Sequence, residues 1–365
     1  MPALPRITGG LIAVYELANA LVAIEDHVEI VHIPSEEGTL RTTAQIPWFS
    51  FDAAVEHRFL SSLDPDQLPV ADILVYTVMS IDIGRSAWSG DGGSRMVERL
   101  QASNSPAGLP LLFVQGLGVF PPDTELVALR GPGPKACVAS WMVDNLVLGG
   151  LPPREVVHVA NGLDHGSFRL VRSIDDRAPT VAMNFTPHPM KNMGAALEAL
   201  STLHRDLAVP ATLFGNKPPS GPLGPGIEHV NPPSKAGMAD LYNRSSLYLQ
   251  PSTTEGFGLC AVEAMACGCA LVTTANGGAA DYAIDGETAV VCGSEPEAMV
   301  DALGGLVRDD ARRIRIATEG ARHAQRFRWS ISAEVLRGLA LDYLAAPGEF
   351  GAGRGTALDA SDLVR

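Results

Sequence analysis

Apolar residues recur in two periods along this chain. Short apolar runs bounded by Pro, Gly, Asn or Ser predict buried strands at Val28 to Ile33, Ile73 to Met79, Leu111 to Gln115 and Thr180 to Asn184. The same pattern returns at Ala211 to Gly215, Leu247 to Gln250 and Ala270 to Thr274, and Val156 to Asp164 reads as a strand ending in the Asn161-Gly162 turn. Helical patterns alternate with them: an amphipathic stretch from about Leu11 to Ile24 behind Thr8-Gly9-Gly10, another from about Met193 to Leu203, and one ending at Leu344. Asp91-Gly92-Gly93 reads as a loop or turn, and the Pro/Gly-rich stretch from Lys217 to Gly226 as a loop. Strands alternating with helices predict an α/β chain built on parallel sheets.

One stretch combines these signals with chemistry. Gln250-Pro-Ser-Thr-Thr-Glu-Gly-Phe-Gly-Leu-Cys-Ala-Val-Glu-Ala-Met-Ala-Cys-Gly268 is a strand end, a glycine-punctuated turn and an Ala-rich helix from Leu259 to Cys267 that Gly268 stops. A strand feeding a helix through Gly256 and Gly258 exposes unpaired backbone N–H groups at the positive end of a helix dipole, which suits a phosphate or a sugar hydroxyl. Glu263 lies in this helix among Ala261, Val262, Ala264, Met265 and Ala266, apolar on every side, so the helix is buried and its carboxylate needs a polar partner. Adjacent sequence offers none. Either a ligand is that partner, or Glu263 complements the helix N-terminus and the glycines serve only the turn.

Composition narrows the classes. The 365 residues and a hydrophobic fraction of 46% suffice for about two packed domains. A net charge of −14 argues against a nucleic-acid binder and against attraction to an anionic membrane surface. The most apolar early stretch, Leu11 to Ile24, is broken by Glu16 and Asn19 and falls short of the roughly 18 residues of a spanning helix. A cytoplasmic protein without strong membrane association is expected. Five cysteines (Cys137, Cys260, Cys267, Cys269, Cys292) lack both a disulfide-framework and a zinc-site spacing, and read as reduced and structural.

Pro-Ser, a few residues, Glu-Gly-Phe-Gly-Leu and then Glu-Ala-Met-Ala-Cys-Gly resembles the signature of retaining family 4 glycosyltransferases, enzymes of the GT-B fold. The resemblance is tight from Asn161 to Trp329 and looser before it. It implies two Rossmann-like domains facing a cleft: 1–166 on the acceptor side, 167–325 for the nucleotide-sugar, 326–345 as a helix crossing back to the first domain, and 346–365 as a disordered tail. The segment from Ser167 to Thr180 would be the linker. By resemblance Glu255 and the backbone of Gly256, Phe257, Gly258 and Leu259 lie beside the donor sugar, Glu263 grips the ribose hydroxyls, and Gly9-Gly10 approaches the donor phosphates.

Three departures accompany the match. The family has a strand ahead of its Gly-Gly loop, whereas Met1-Pro-Ala-Leu-Pro-Arg-Ile contains two prolines, so either the chain starts late or that strand is vestigial. An Arg and a Lys meet the phosphates in the family. Lys191 matches the Lys, but the Arg's place falls near Phe185, and His188 between them reads as a solvated loop histidine. Gln115 stands where members often carry a His. It either bonds a sugar hydroxyl or is a strand-end Gln satisfied by backbone, and it cannot accept a full proton.

The implied activity is a retaining, metal-independent hexosyl transfer from a nucleotide-sugar, the substrate rather than a cofactor, to a hydroxyl of a soluble small-molecule or glycan acceptor. Glu255, Lys191 and Gln115 are its catalytic candidates, and the leaving phosphate is the implied base. Two alternatives are a nucleotide-sugar epimerase of the same fold and a catalytically impaired sugar-nucleotide binding protein. From Met1 to Asp164, nine Lys and Arg stand against nineteen Asp and Glu, a net of −10. That acidity either steers a neutral or cationic acceptor such as an aminocyclitol, or only maintains solubility.

Overall fold

The computed structural model describes residues 7–86, 89–231, 234–351 and 358–360, which divide into two units: 1–162 with 329–365, and 163–328. The expectation about a first strand concerns residues 1–6 and lies outside the described residues.

The first unit opens with α1 (Gly9–Val22), β1 (Glu29–His32) and β2 (Glu56–Phe59), followed by β3 (Ile73–Thr77), α2 (Val78–Arg85) and α3 (Gly90–Leu100). β4 (Leu109–Val114), α4 (Pro122–Leu129), β5 (Lys135–Cys137), α5 (Ser140–Leu148) and β6 (Val156–His158) complete its sheet region. Among the described residues β1 and β2 form one parallel pair, and β3-β4-β5-β6 a second, wholly parallel sheet. The last helix, α11 (Trp329–Ala345), packs on α1, and Arg337 ties it to Asp26 just beyond α1 at 3.0 Å.

Three expectations are corrected here. Gly9 and Gly10 do not precede the helix but form its first turn, because the Thr8 side chain accepts from Leu11 N at 3.2 Å and caps it. Asp91-Gly92-Gly93 is helical. Its glycines mark a close crossing with α2: a Cβ on Gly93 would lie 2.4 Å from the Gly84 carbonyl, and one on Gly84 would lie 2.5 Å from Val97. Part of the 346–365 tail is ordered, since Pro347–Phe350 make a 3-10 turn with Phe350 buried on Tyr343, and Leu358 is buried with its carbonyl bonded by Arg130.

In the second unit β7 (Val181–Asn184), α6 (Met193–Leu207), β8 (Ala211–Phe214), β9 (Ile227–Val230), α7 (Lys235–Arg244) and β10 (Leu247–Gln250) lead to α8 (Leu259–Ala266). β11 (Ala270–Thr274), β12 (Ala289–Cys292), α9 (Pro296–Arg308) and α10 (Asp310–Ala324) close it. All six strands are parallel, in the order β9-β8-β7-β10-β11-β12. The chain winds outward one way from β7 and then returns to the centre at β10, the doubly wound Rossmann order whose reversal point is where such sheets bind ligands. The 167–180 stretch expected as a linker belongs to this unit, anchored by the buried Arg177.

Aromatic and histidine rings fill part of the first unit's core. His32 stacks on Phe59 at 4.5 Å, Phe51 meets His57 edge-on at 4.4 Å, and Nε2 of His32 lies 3.1 Å from Nδ1 of His57. Burial drives the His32 pKa down to about 3 and lowers that of His57, so both rings are neutral at pH 7. The unfolded chain binds these protons first, so stability is full above the ordinary histidine pKa and falls as pH drops from there toward 3. Each unit of pH in that window should cost up to about 1.4 kcal/mol for His32. The described tryptophans Trp48, Trp141 and Trp329 lie in this unit, so fluorescence-detected urea midpoints report on it. The midpoint should fall between pH 6.5 and 5, and a His32→Phe/His57→Phe variant should lose most of that slope.

Candidate functional site

The reversal of strand order brings together two loops far apart in sequence. The loop after β7 carries Lys191 in a single 3-10 turn, Pro189–Lys191, and passes through left-handed Asn192 (φ 51°) into α6. The loop after β10 carries Ser252 and Glu255 and passes through Gly258 into α8. Thr253 N donates to the Met190 carbonyl at 2.8 Å and joins the two loops. From the other side Glu255 N donates to Asn276 O at 2.8 Å, which extends the β11 end against the signature turn.

Lys191 and Glu255 then meet directly. Lys191 Nζ donates to Glu255 Oε1 at 2.6 Å, and the buried Ser252 hydroxyl donates to the same oxygen at 2.7 Å. The side chains are 29% and 13% exposed, so the lysine reaches solvent while its partner is largely enclosed. Phe185, where a second phosphate cation was expected, is buried in the sheet core, and His188 is exposed with Nδ1 accepting from Met190 N. Lys191 is therefore the cation of this loop.

Gly258 sets the entry to α8. Its φ of 103° is left-handed, and a Cβ there would lie 2.3 Å from the Tyr282 hydroxyl and 2.8 Å from Gln250 Nε2. Phe257 is buried edge-on to Tyr282 and Phe327, which fixes the turn from beneath. The helical ladder of α8 begins with Ala261 N donating to the Gly258 carbonyl at 3.0 Å, and the N–H groups of Leu259 and Cys260 come before it.

Glu263 corrects one expectation. A protein partner for it exists: the Tyr242 hydroxyl, on α7, donates to Glu263 Oε2 at 3.2 Å. Nothing in the short Ala239 to Tyr242 run before the signature flags it. Burial pushes the neighbouring Cys260 thiol up to about 12, which leaves it protonated and no nucleophile. Glu255, Lys191 and Glu263, with the turn Gly256 to Leu259, thus belong to one unit. Gly9, Gly10 and Gln115 belong to the other, where Gln115 Nε2 donates to the Gly10 carbonyl at 2.8 Å and ties the start of α1 to the end of β4.

Residues 226–323 match the model of the family described as Glycosyl transferases group 1, so the second unit carries a domain of that kind. A D-inositol 3-phosphate glycosyltransferase of Corynebacterium jeikeium (strain K411) is 40% identical over 115 residues, 31% of this chain and 27% of that protein. One of Rhodococcus opacus (strain B4) is 28% identical over 295 residues, 68% of this chain and 65% of that protein. The chain spans about a quarter of the length of most of the relatives it matches at higher identity. Among solved structures, Anabaena Alr3699/HepE in complex with UDP and glucose has a TM-score of 0.72 at 15% identity, covering 93% of this chain and 97% of that one. Sucrose-phosphate synthase from Thermosynechococcus elongatus has a TM-score of 0.70 at 17% identity, covering 93% and 94%. The fold is GT-B. No helix among the described residues is long and apolar enough to cross a membrane.

The turn geometry makes a sharp prediction. Gly258→Ala must hold a left-handed non-glycine residue, about 1–2 kcal/mol, and also displace the buried Tyr282 hydroxyl. Gly286 has a similar left-handed φ of 72° but nothing within 4 Å of its would-be Cβ, so Gly286→Ala carries the strain alone. In thermal denaturation and nucleotide titration Gly258→Ala should lose more stability than Gly286→Ala, and only Gly258→Ala should lose nucleotide affinity, by tenfold or more.

Proposed function

We propose that this protein is a retaining glycosyltransferase that moves a sugar from a nucleoside diphosphate sugar to a hydroxyl of a soluble acceptor. One observation carries the reading: a lysine, two glutamates and a glycine-formed helix start converge where the strand order of a Rossmann sheet reverses. As the bond between sugar and phosphate breaks, negative charge grows on the diphosphate, and Lys191 with the α8 amides supplies charge and donors there. Glu255 lies beside the sugar and Glu263 takes the ribose hydroxyls. The leaving phosphate serves as base for the acceptor hydroxyl, so that no enzyme nucleophile takes part and the anomeric configuration is retained.

The Lys191 charge is matched by Glu255 at 2.6 Å. A diphosphate must share or displace that partner. Lys191→Ala should cost roughly 2–4 kcal/mol of transition-state stabilisation, read in kcat/KM. Glu263→Gln should weaken both donor and free nucleotide, whereas Glu255→Gln should depress turnover while leaving free-nucleotide affinity equal or tighter, because Lys191 loses its internal competitor. Equal weakening of free nucleotide by both changes would break the assignment.

A thermal-shift screen with UDP-, GDP- and dTDP-sugars identifies the donor, which at 100 times its Kd should stabilise by roughly 2.7 kcal/mol. Release of nucleoside diphosphate only when acceptor is added then separates transfer from epimerisation and from mere binding. The similar enzymes named for D-inositol 3-phosphate act on a cyclitol, and the −10 balance from Met1 to Asp164 favours an uncharged or amino-substituted polyol over a phosphorylated one here. The acceptor KM for an amine-bearing cyclitol should rise with salt. A KM indifferent to salt, or tight sedimentation with anionic liposomes, would argue for another acceptor class.

A further inference from the structure

Tyr242 is a large polar side chain near the site that the transfer chemistry leaves without a task. It is fully buried on α7, and its hydroxyl meets Glu263 on α8. Rings hold it on several sides: Tyr248 at 5.7 Å, Phe214 at 5.9 Å and Phe168 at 6.0 Å. Its backbone is fixed as well, because its carbonyl accepts from Arg177 Nη1 at 3.3 Å and from the Cys269 thiol at 3.1 Å. Core packing alone would be satisfied by Phe at this position. The hydroxyl is the part that needs an explanation.

We infer that Tyr242 is a positioning residue for ribose recognition: its hydroxyl holds one oxygen of Glu263 and so fixes the carboxylate plane that receives the two ribose hydroxyls. A carboxylate takes a vicinal diol through oxygens set at a defined angle, and a Glu side chain left to itself loses rotamer freedom on binding. Tyr242 removes that freedom in advance. Burial keeps the phenol protonated, well above its ordinary pKa, so it remains a donor to Glu263 at any working pH. The role falls on donor binding and not on bond breaking, because the Tyr242 hydroxyl acts on Glu263 and not on the Lys191–Glu255 pair. The inference rests on the reading of Glu263 as the ribose ligand.

The test uses the full chain and four probes: UDP and GDP, each beside its 2′,3′-dideoxy analogue, titrated by calorimetry. Wild type should prefer the ribose form of the base it accepts, and Glu263→Gln should abolish that preference. Tyr242→Phe should lose about five- to twentyfold in affinity for the ribose form and remain within twofold for the dideoxy form. In the Glu263→Gln background Tyr242→Phe should have no further effect on either. Equal losses on both analogues, or a second loss on top of Glu263→Gln, would make Tyr242 a purely structural residue and overturn the inference. If wild type itself does not distinguish the two forms, it is the ribose assignment of Glu263 that fails, and the inference with it. Hydrogen exchange of the Leu259–Ala266 amides separates either result from loss of fold, because a positioning change leaves their protection intact.

Discussion

Arg177 is the constraint on which the second unit rests. Its guanidinium is buried and donates to the carbonyls of Arg172 at 2.8 Å, Ser173 at 3.2 Å, Tyr242 at 3.3 Å, Ser245 at 3.0 Å and Cys267 at 2.8 Å. Two of these carbonyls lie at the end of α7 or just beyond it, and one at the end of α8, where helices leave acceptors unpaired and the dipole is negative. Five planar donors match that arrangement as no other side chain could. Desolvation lowers the Arg177 pKa, yet a guanidinium stays charged in this range, so the cation is held by carbonyl dipoles instead of a carboxylate. It fastens the segment entering the unit to both helices that carry the Tyr242 and Glu263 pair.

From that anchor the site follows by topology. β7 and β10 are neighbours in the sheet although α6, β8, β9 and α7 intervene in sequence. The two loops that leave their carboxyl ends must therefore lie side by side, and Lys191 and Glu255 meet across 64 positions of chain. Their ion pair leaves the lysine with one face toward solvent, which suits a cation that has to exchange partners when an anion arrives. Ser252 shares the same Glu255 oxygen, so the carboxylate keeps a donor when the lysine turns away.

What could be read from residues alone was the part encoded locally. Gly256, Gly258 and the carboxylates around them form a turn whose backbone demands and charge are visible in one short stretch, and β11 runs over the residues anticipated for it, Ala270–Thr274. Contacts between distant segments were not visible. Tyr242 is 21 positions from Glu263, and nothing in Ala239-Asp-Leu-Tyr242 announces that its hydroxyl faces a carboxylate. Glycine misled twice, at Gly92-Gly93 and at Gly9-Gly10. In one case it allows two helices to touch, in the other it fits under Gln115, and both uses look like turns in sequence. The unit boundary lies at Gly162 instead of in the charged stretch after Ser167, because Arg177 gives that stretch buried partners.

Gln115 is committed within the first unit. Its amide N–H is engaged by the Gly10 carbonyl, and a Cβ on Gly10 would lie 3.0 Å from its Oε1, so the side chain is packed on the start of α1. An amide so fixed can orient a hydroxyl through its oxygen but takes no proton from one. A base for an acceptor hydroxyl must then come from somewhere other than this position. With Phe185 buried in the sheet core and Cys260 held as a neutral thiol, the loop after β7 offers Lys191 as its cation, paired with the Glu255 carboxylate. In the transfer we propose, the departing phosphate, held by Lys191 and the N–H groups of α8, performs the proton abstraction itself.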